Sequence, residues 1–189
     1  DADRALANAR AALAAAAERL AQAGATPEQL VVTVPAHRAL GLIPRRETFR
    51  RTGEGVYDMA DLAERTTKMA GFIRAHKEKN PDRPIYGLGY SNGANIMASV
   101  LFEAPDLFDR VILMHPLIPF DPPAQPGLSD VAVLVTAGQR DPICPLPLTE
   151  RLTAYFEAQG AQVETFLHQG GHEVSQGEVD AIGAFLQKP

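Results

Sequence analysis

From Ile85 onward, short aliphatic runs alternate with segments whose apolar residues recur at helical spacing, and this alternation leaves few folds open. Ile85–Tyr90, Val111–Met114, Val131–Thr136 and Val163–Leu167 read as strands. Ile96, Met97, Val100 and Leu101 mark a helix after the first of them. Leu148, Leu152, Tyr155 and Phe156 mark a second. Ser175-Gln176-Gly177-Glu178 has the spacing of a capping box and opens a third, with Val179, Ile182 and Leu186 as its buried face. Strands that are apolar throughout must be covered on both faces, which implies a mostly parallel sheet between helical layers. Upstream, the β-branched stretch Gln29–Pro35 predicts a fifth strand near Leu30–Val34. Asp58 is placed to cap a helix carrying Leu62, Met69, Ala70 and Ile73. Residues 36–57 read as irregular, punctuated by Gly41, Pro44, Gly53 and Gly55. The chain opens with twelve alanines in residues 1–23, which predicts a helix ending at Gly24. The expected fold class is therefore α/β, with about five strands and helices on both faces.

A length of 189 residues suits one domain spanning 1–189. Hydrophobic residues make up 46% and charged residues 22%, a balance unlike that of disordered chains or coiled coils. A formal net charge of −5 disfavours a general nucleic-acid binder, which carries a basic face. No apolar run reaches the ~18 residues of a membrane helix, and no signal peptide opens the chain. The single cysteine, Cys144, excludes an internal disulfide and a cysteine zinc cage. The expectation is a soluble cytoplasmic protein without a membrane span, and an oligomer of identical copies is compatible with it.

Gly89-Tyr90-Ser91-Asn92-Gly93 reads Gly-x-Ser-x-Gly, with a strand running in and a helix running out. A serine at such a turn sits on a sharp elbow, and the following helix N-terminus points free amides at any oxyanion formed there. A serine nucleophile needs a base, and the base needs an orienting acid, in the chain order Ser, Asp or Glu, His. Asp141 directly follows the strand Val131–Thr136, and His172 follows Val163–Leu167. Both would lie at carboxyl ends of strands, where open α/β sheets place ligands. The remaining histidines fit other roles: His168 packs on the last strand, His115 ends a strand in a structural or pocket-lining position, and His76 is solvated late in a helix. No histidine pair has metal-ligand spacing, so no metal and no cofactor is implied. Cys144 lacks an elbow and reads as a small packing residue.

From about Arg50 to the C-terminus the chain resembles the carboxylesterase/phospholipase family of α/β-hydrolases, relatives of acyl-protein thioesterases and dienelactone hydrolases. The resemblance runs through Arg51-Thr52-Gly53-Glu54-Gly55-Val56-Tyr57-Asp58, Gly87-Leu88-Gly89-Tyr90-Ser91-Asn92-Gly93-Ala94-Asn95 and Met114-His115-Pro116-Leu117-Ile118-Pro119. It continues through Gly138-Gln139-Arg140-Asp141-Pro142-Ile143-Cys144-Pro145 and Gly170-Gly171-His172-Glu173. It implies Ser91 as nucleophile, His172 as general base and acid, and Asp141 as its orienter, the same three residues that strand ends and chain order select.

The family also carries earlier strands, the third ending in a His-Gly-x-Gly-Gly-like loop that supplies half the oxyanion hole. No such motif precedes Ser91, so the fold is expected to be N-terminally shortened, and the alanine-rich opening over 1–24 suggests a rebuilt or engineered segment. If Gln29–Pro35 were the family's fourth strand, a gap would open in the sheet and leave backbone groups unpaired. If it fills the slot beside Ile85–Tyr90, the sheet closes, and the following loop, Pro35–Gly41, ends near Ser91. The second placement is the expected one. Asn92 would then supply one oxyanion amide and Ala36 or His37 the other. Leu117, Ile118 and Ile143 follow strand ends and are expected to border an apolar acyl or aryl pocket. Arg45, Arg46, Arg50 and Arg51 read as a solvated loop. Two functions follow: a serine hydrolase cleaving small carboxylic esters or thioesters through an acyl-enzyme, or a weak or inactive hydrolase-fold scaffold with an incomplete oxyanion hole.

Overall fold

A computed structural model of the chain describes Leu30–Thr33, Arg51–Gly53 and residues 56–188, together with the helical Ala14. The elements in chain order are β1 (Leu30–Thr33), β2 (Arg51–Gly53), β3 (Val56–Tyr57), α1 (Met59–Lys79) and β4 (Tyr86–Tyr90). They continue with α2 (Asn92–Glu103), β5 (Arg110–Met114), β6 (Ala132–Gly138), α3 (Leu146–Ala158), β7 (Gln162–His168) and α4 (Gln176–Leu186). Single 3₁₀ turns cover Pro105–Leu107 and Pro126–Asp130.

Five strands form one parallel sheet in the order β1-β4-β5-β6-β7. β1 pairs with β4 from Leu30 opposite Tyr86 to Thr33 opposite Gly89, so it occupies the slot that closes the sheet. The segment expected to be irregular contains a short antiparallel ribbon, β2 with β3. Strands of three and two residues are too short to leave an alternation in the sequence. The expected helix over 1–24 lies outside the described residues apart from Ala14, and the loop Pro35–Gly41 lies wholly outside them.

Strand parity divides the core. Val111, Leu113, Val133 and Val135 pack with α1, α2 and α3 through Met69, Ile73, Met97, Leu101, Leu152 and Phe156. Leu88, Tyr90, Ile112, Met114 and Leu134 face the other way and meet Ile182, Phe185 and Leu186 of α4. A sheet that adds each strand on the same side needs crossovers of one hand, which puts the connecting helices on one face. α4, after the last strand, covers the other. α2 is buried from Gly93 to Phe102 because α1 lies over it and the sheet under it. Asp58 caps α1 by accepting the Asp61 amide at 3.1 Å, and Ser175 with Glu178 forms the capping box of α4. Among the described residues no helix is long and apolar enough to cross a membrane.

β5 is the central strand and β7 an edge, so equal truncations on the two should differ sharply. Leu113 is fully buried, whereas Leu167 on β7 is 39% exposed. Leu113→Ala should cost about 3 kcal/mol, and Leu167→Ala below about 1 kcal/mol, in urea unfolding. Equal losses would contradict the strand order.

Candidate active site

The parallel register brings the carboxyl ends of β4, β5, β6 and β7 level, and the backbone ladder continues past them. The Ser91 amide donates to Met114 O at 2.9 Å, the His115 amide to Thr136 O at 2.8 Å, and the Gln139 amide to His168 O at 2.8 Å. The side chains that follow these strands therefore start from a common rigid edge.

Ser91 sits between β4 and α2 at φ 54°, in the left-handed region that a side chain enters at a cost of about 1–3 kcal/mol. The turn is tight enough that a Cβ on Gly89 would lie 2.4 Å from Gly93 O, so glycine is required there. Its reward is exposure of the Ser91 hydroxyl at the head of α2, where the first helical amides lack intrahelical partners. His172 Nε2 lies 3.0 Å from Ser91 Oγ, and His172 Nδ1 lies 2.7 Å from Asp141 Oδ2. Gly138 permits this approach, since a Cβ there would meet Gly171 O at 2.0 Å. Tyr90 steadies the histidine loop by donating its hydroxyl to His172 O at 2.6 Å.

Asp141 is 5% exposed, and its carboxylate receives four donors. Oδ1 accepts the amides of Ile143 at 2.8 Å and Cys144 at 2.9 Å. Oδ2 accepts from His172 and also faces His115 Nδ1 at 2.8 Å. Burial alone would raise its pKa, but the hydrogen bonds from His115, His172 and the Cys144 amide outweigh it and hold the carboxyl far below the usual range. Glu173, the neighbouring acid, turns away and accepts the Gly171 amide at 2.9 Å.

The expected Ser91, Asp141 and His172 are thus brought together, with Asn92 opening α2 beside them. Ala36 and His37 lie outside the described residues. Leu117 and Ile118 are 4% and 2% exposed, Ile118 within the main core, while Ile143 is half-buried on the loop that carries Asp141. Leu117 is fixed by its backbone: its amide donates to Asn95 Oδ1 at 2.6 Å and its carbonyl accepts the Tyr57 hydroxyl. An open apolar groove of about 330 Å³ runs along α1 and α2, lined by residues including Met59, Leu62, Thr66 and Phe102, and does not reach Ser91.

Sequence reasoning missed the second half of this cluster. Glu178 is fully buried on α4, 3.1 Å from His115 Nε2 and 3.2 Å from His168 Nε2. The capping box had already accounted for Glu178, and its other oxygen partners come from β5 and β7, remote in sequence. His115, Asp141 and His172, and separately His115, His168 and Glu178, bring possible ligand atoms within 4.8 Å of one another. Hydrogen bonds occupy much of this donor set: Oδ2 of Asp141 takes two ring nitrogens, and His168 Nδ1 accepts the Gly170 amide at 3.1 Å. That last bond puts the His168 proton on Nε2, facing Glu178, where it cannot offer a lone pair to a cation.

No protein-family model matches the chain. Over 135 residues, 70% of its length, it is 38% identical to the "Putative hydrolase MhqD" of Bacillus subtilis (strain 168), covering 67% of that protein. The crystal structure of Atu2452, a protein of unknown function from Agrobacterium tumefaciens str. C58, is similar with a TM-score of 0.70 and 58% identity, over 73% of this chain and 68% of that one. The Bacillus cereus carboxylesterase is similar with a TM-score of 0.67 and 32% identity, over 73% of this chain and 66% of that one. The comparisons support a hydrolase function on an α/β-hydrolase fold.

The buried charges set a pH dependence of folding. Burial opposes a charge on His115, but hydrogen bonds to Asp141 and Glu178 outweigh it and push its pKa from 6.5 up to about 9. A pKa raised by folding stabilises the native state fully below the unfolded value, and that stability is lost as pH rises through the folded one. Stability should therefore decline between about pH 6.5 and 9, and this slope should vanish in His115→Gln. Urea midpoints measured at half-unit pH steps check this; a flat wild-type profile would contradict the buried charge.

Proposed function

The chain belongs to the carboxylesterase/phospholipase family of α/β-hydrolases, and on that footing we propose that it is a serine hydrolase cleaving carboxylic esters or thioesters through an acyl-enzyme. The observation that carries this reading is the hydrogen-bonded series from Ser91 Oγ to His172 at 3.0 Å and from His172 to Asp141 at 2.7 Å, begun by a serine at positive φ. Ser91 attacks the substrate carbonyl while His172 Nε2 takes its proton. Asp141 holds the tautomer with the proton on Nδ1 and stabilises the imidazolium that forms. The Asn92 amide, at the positive end of α2, donates to the tetrahedral oxyanion. His172 then gives its proton to the leaving group, and a water activated by the same nitrogen releases the acid. Leu117, Ile118 and Ile143 are proposed to shape the acyl side of the site. The buried Cys144 thiol, in no disulfide, suits action in the reducing cytoplasm.

A fluorophosphonate probe should label the wild-type chain at Ser91, and p-nitrophenyl acetate should be turned over. Ser91→Ala should lose both by at least about 10³-fold while keeping its thermal midpoint within a few degrees. An unlabelled wild-type serine would favour the scaffold reading instead.

The second oxyanion donor is proposed to be the amide of Ala36 or His37. Supporting this, the register ends β1 with Thr33 opposite Gly89, two residues before Ser91. Ala36→Pro or His37→Pro removes one amide, and the responsible one should lower kcat about 10²–10³-fold. Unchanged kcat in both folded variants would place the donor elsewhere.

A further inference from the structure

A Ser-His-Asp site needs one histidine on its aspartate, and this one has two on the same oxygen. His115 closes β5 at φ 49° with its ring fully buried. Histidine enters the left-handed region more readily than most residues, yet such a backbone persists only where surrounding contacts impose it. Those contacts are two carboxylates. Nδ1 lies 2.8 Å from Asp141 Oδ2, and Nε2 lies 3.1 Å from Glu178 Oε1, an ion-pair distance without hydrogen-bond alignment. A neutral ring with its proton on Nδ1 would leave the Nε2 lone pair 3.1 Å from Glu178 Oε1, and a doubly protonated ring relieves that repulsion.

Glu178 is itself held as an acceptor. Its Oε1 takes the Thr136 hydroxyl at 2.7 Å and its Oε2 the Ser175 amide at 2.7 Å. His168 Nε2 lies 3.2 Å from the same carboxylate, near enough for an ion pair but without hydrogen-bond alignment. The buried series therefore runs anion, cation, anion, from Glu178 through His115 to Asp141. The other groups facing His115 do not cancel its charge. The Tyr90 ring lies 5.7 Å away, its phenol kept neutral by burial, and Cys144 donates its thiol to His115 O at 3.2 Å. Glu173, on the His172 loop, is engaged with the Gly171 amide. The His172 ring, with its centroid 5.1 Å from that of His115, is the group on which the charge acts most directly.

Resting on the serine-hydrolase reading above, we propose that His115 is a positioning residue: clamped as a cation by Glu178, it fixes Asp141 and opposes the charging of His172. A like charge at this separation disfavours a second cation. It also takes up part of the Asp141 charge that would otherwise favour protonating His172. Both effects act on the ring that accepts the Ser91 proton.

The test is kcat/KM for p-nitrophenyl acetate against pH, in the full chain, for wild type, His115→Gln, Glu178→Gln and Thr136→Val. The acid limb reports the free enzyme's base. It should move up by about one pH unit in His115→Gln, which is about a tenfold loss on that limb. In Glu178→Gln, His115 loses the anion that holds its second proton, and once it is neutral the limb should move up too, by less because an anion is lost with the cation. Thr136→Val removes a buried hydrogen bond of the same cluster without its charge, and should lower the thermal midpoint while leaving the limb in place. Ring nitrogen shifts of ¹⁵N-histidine protein should show His115 doubly protonated at pH 7.5. An acid limb unmoved in folded, active His115→Gln, or a neutral His115 at that pH, overturns the inference; if His115→Gln does not fold, Glu178→Gln decides by the same limb. A wild-type chain that neither turns over the ester nor labels at Ser91 overturns the hydrolase reading, and the inference with it.

Discussion

The carboxylate of Asp141 is the point on which the site's geometry turns. A buried anion is costly unless every lone pair is used, and here two backbone amides and two imidazoles use them. The amides come from the Asp141 loop itself, so they set the side chain's direction before any histidine arrives. The imidazoles come from the ends of β5 and β7, so the same carboxylate ties together three strand ends that the ladder has already levelled. Removing it would leave Nδ1 of both rings without its partner, which is why its contribution cannot be separated from that of either histidine.

The two left-handed residues belong to the same construction. Ser91 and His115 occupy equivalent positions, directly after β4 and β5, and the Ser91 amide donates to Met114 O between them. A strand that simply continued would carry each side chain on along the sheet. The positive φ turns the chain at each strand end, so Ser91 stands at the head of α2 and the His115 ring reaches Asp141 and Glu178. Strain at both turns is offset by the ladder behind them and by the helices packed on the two faces. Rigid placement of the nucleophile and of the acid's second partner is thus a single consequence of the parallel register.

Much of this was legible in the chain. Apolar runs with β-branched centres gave the strands, because both faces are covered and no alternation dilutes the signal. The elbow, Asp141 and His172 were legible from residue type and order, since each directly follows a strand. β1 could be placed from sequence only by asking which position leaves no backbone group unpaired, and its register with β4 agrees with that answer. The ribbon of β2 and β3 was illegible, being too short for any period to show. Glu178 was hidden for a different reason. Its capping role in α4 explained the glutamate locally, and nothing in the sequence says that the helix face carrying it lies against Thr136 and the ends of β5 and β7.

That hidden residue changes how the site's electrostatics should be understood. A triad isolated in a polar cleft relies on its aspartate to balance a transient imidazolium. Here Asp141 is already partnered by His115, and Glu178 compensates that partner from the far side. With His115 charged as proposed, the cluster holds two anions and one cation at neutral pH. His115 therefore takes up part of the negative charge that Asp141 and Glu178 bring to the strand ends. The fold can hold such a set because α4 closes over it, burying Glu178 against the strand ends that carry the chemistry.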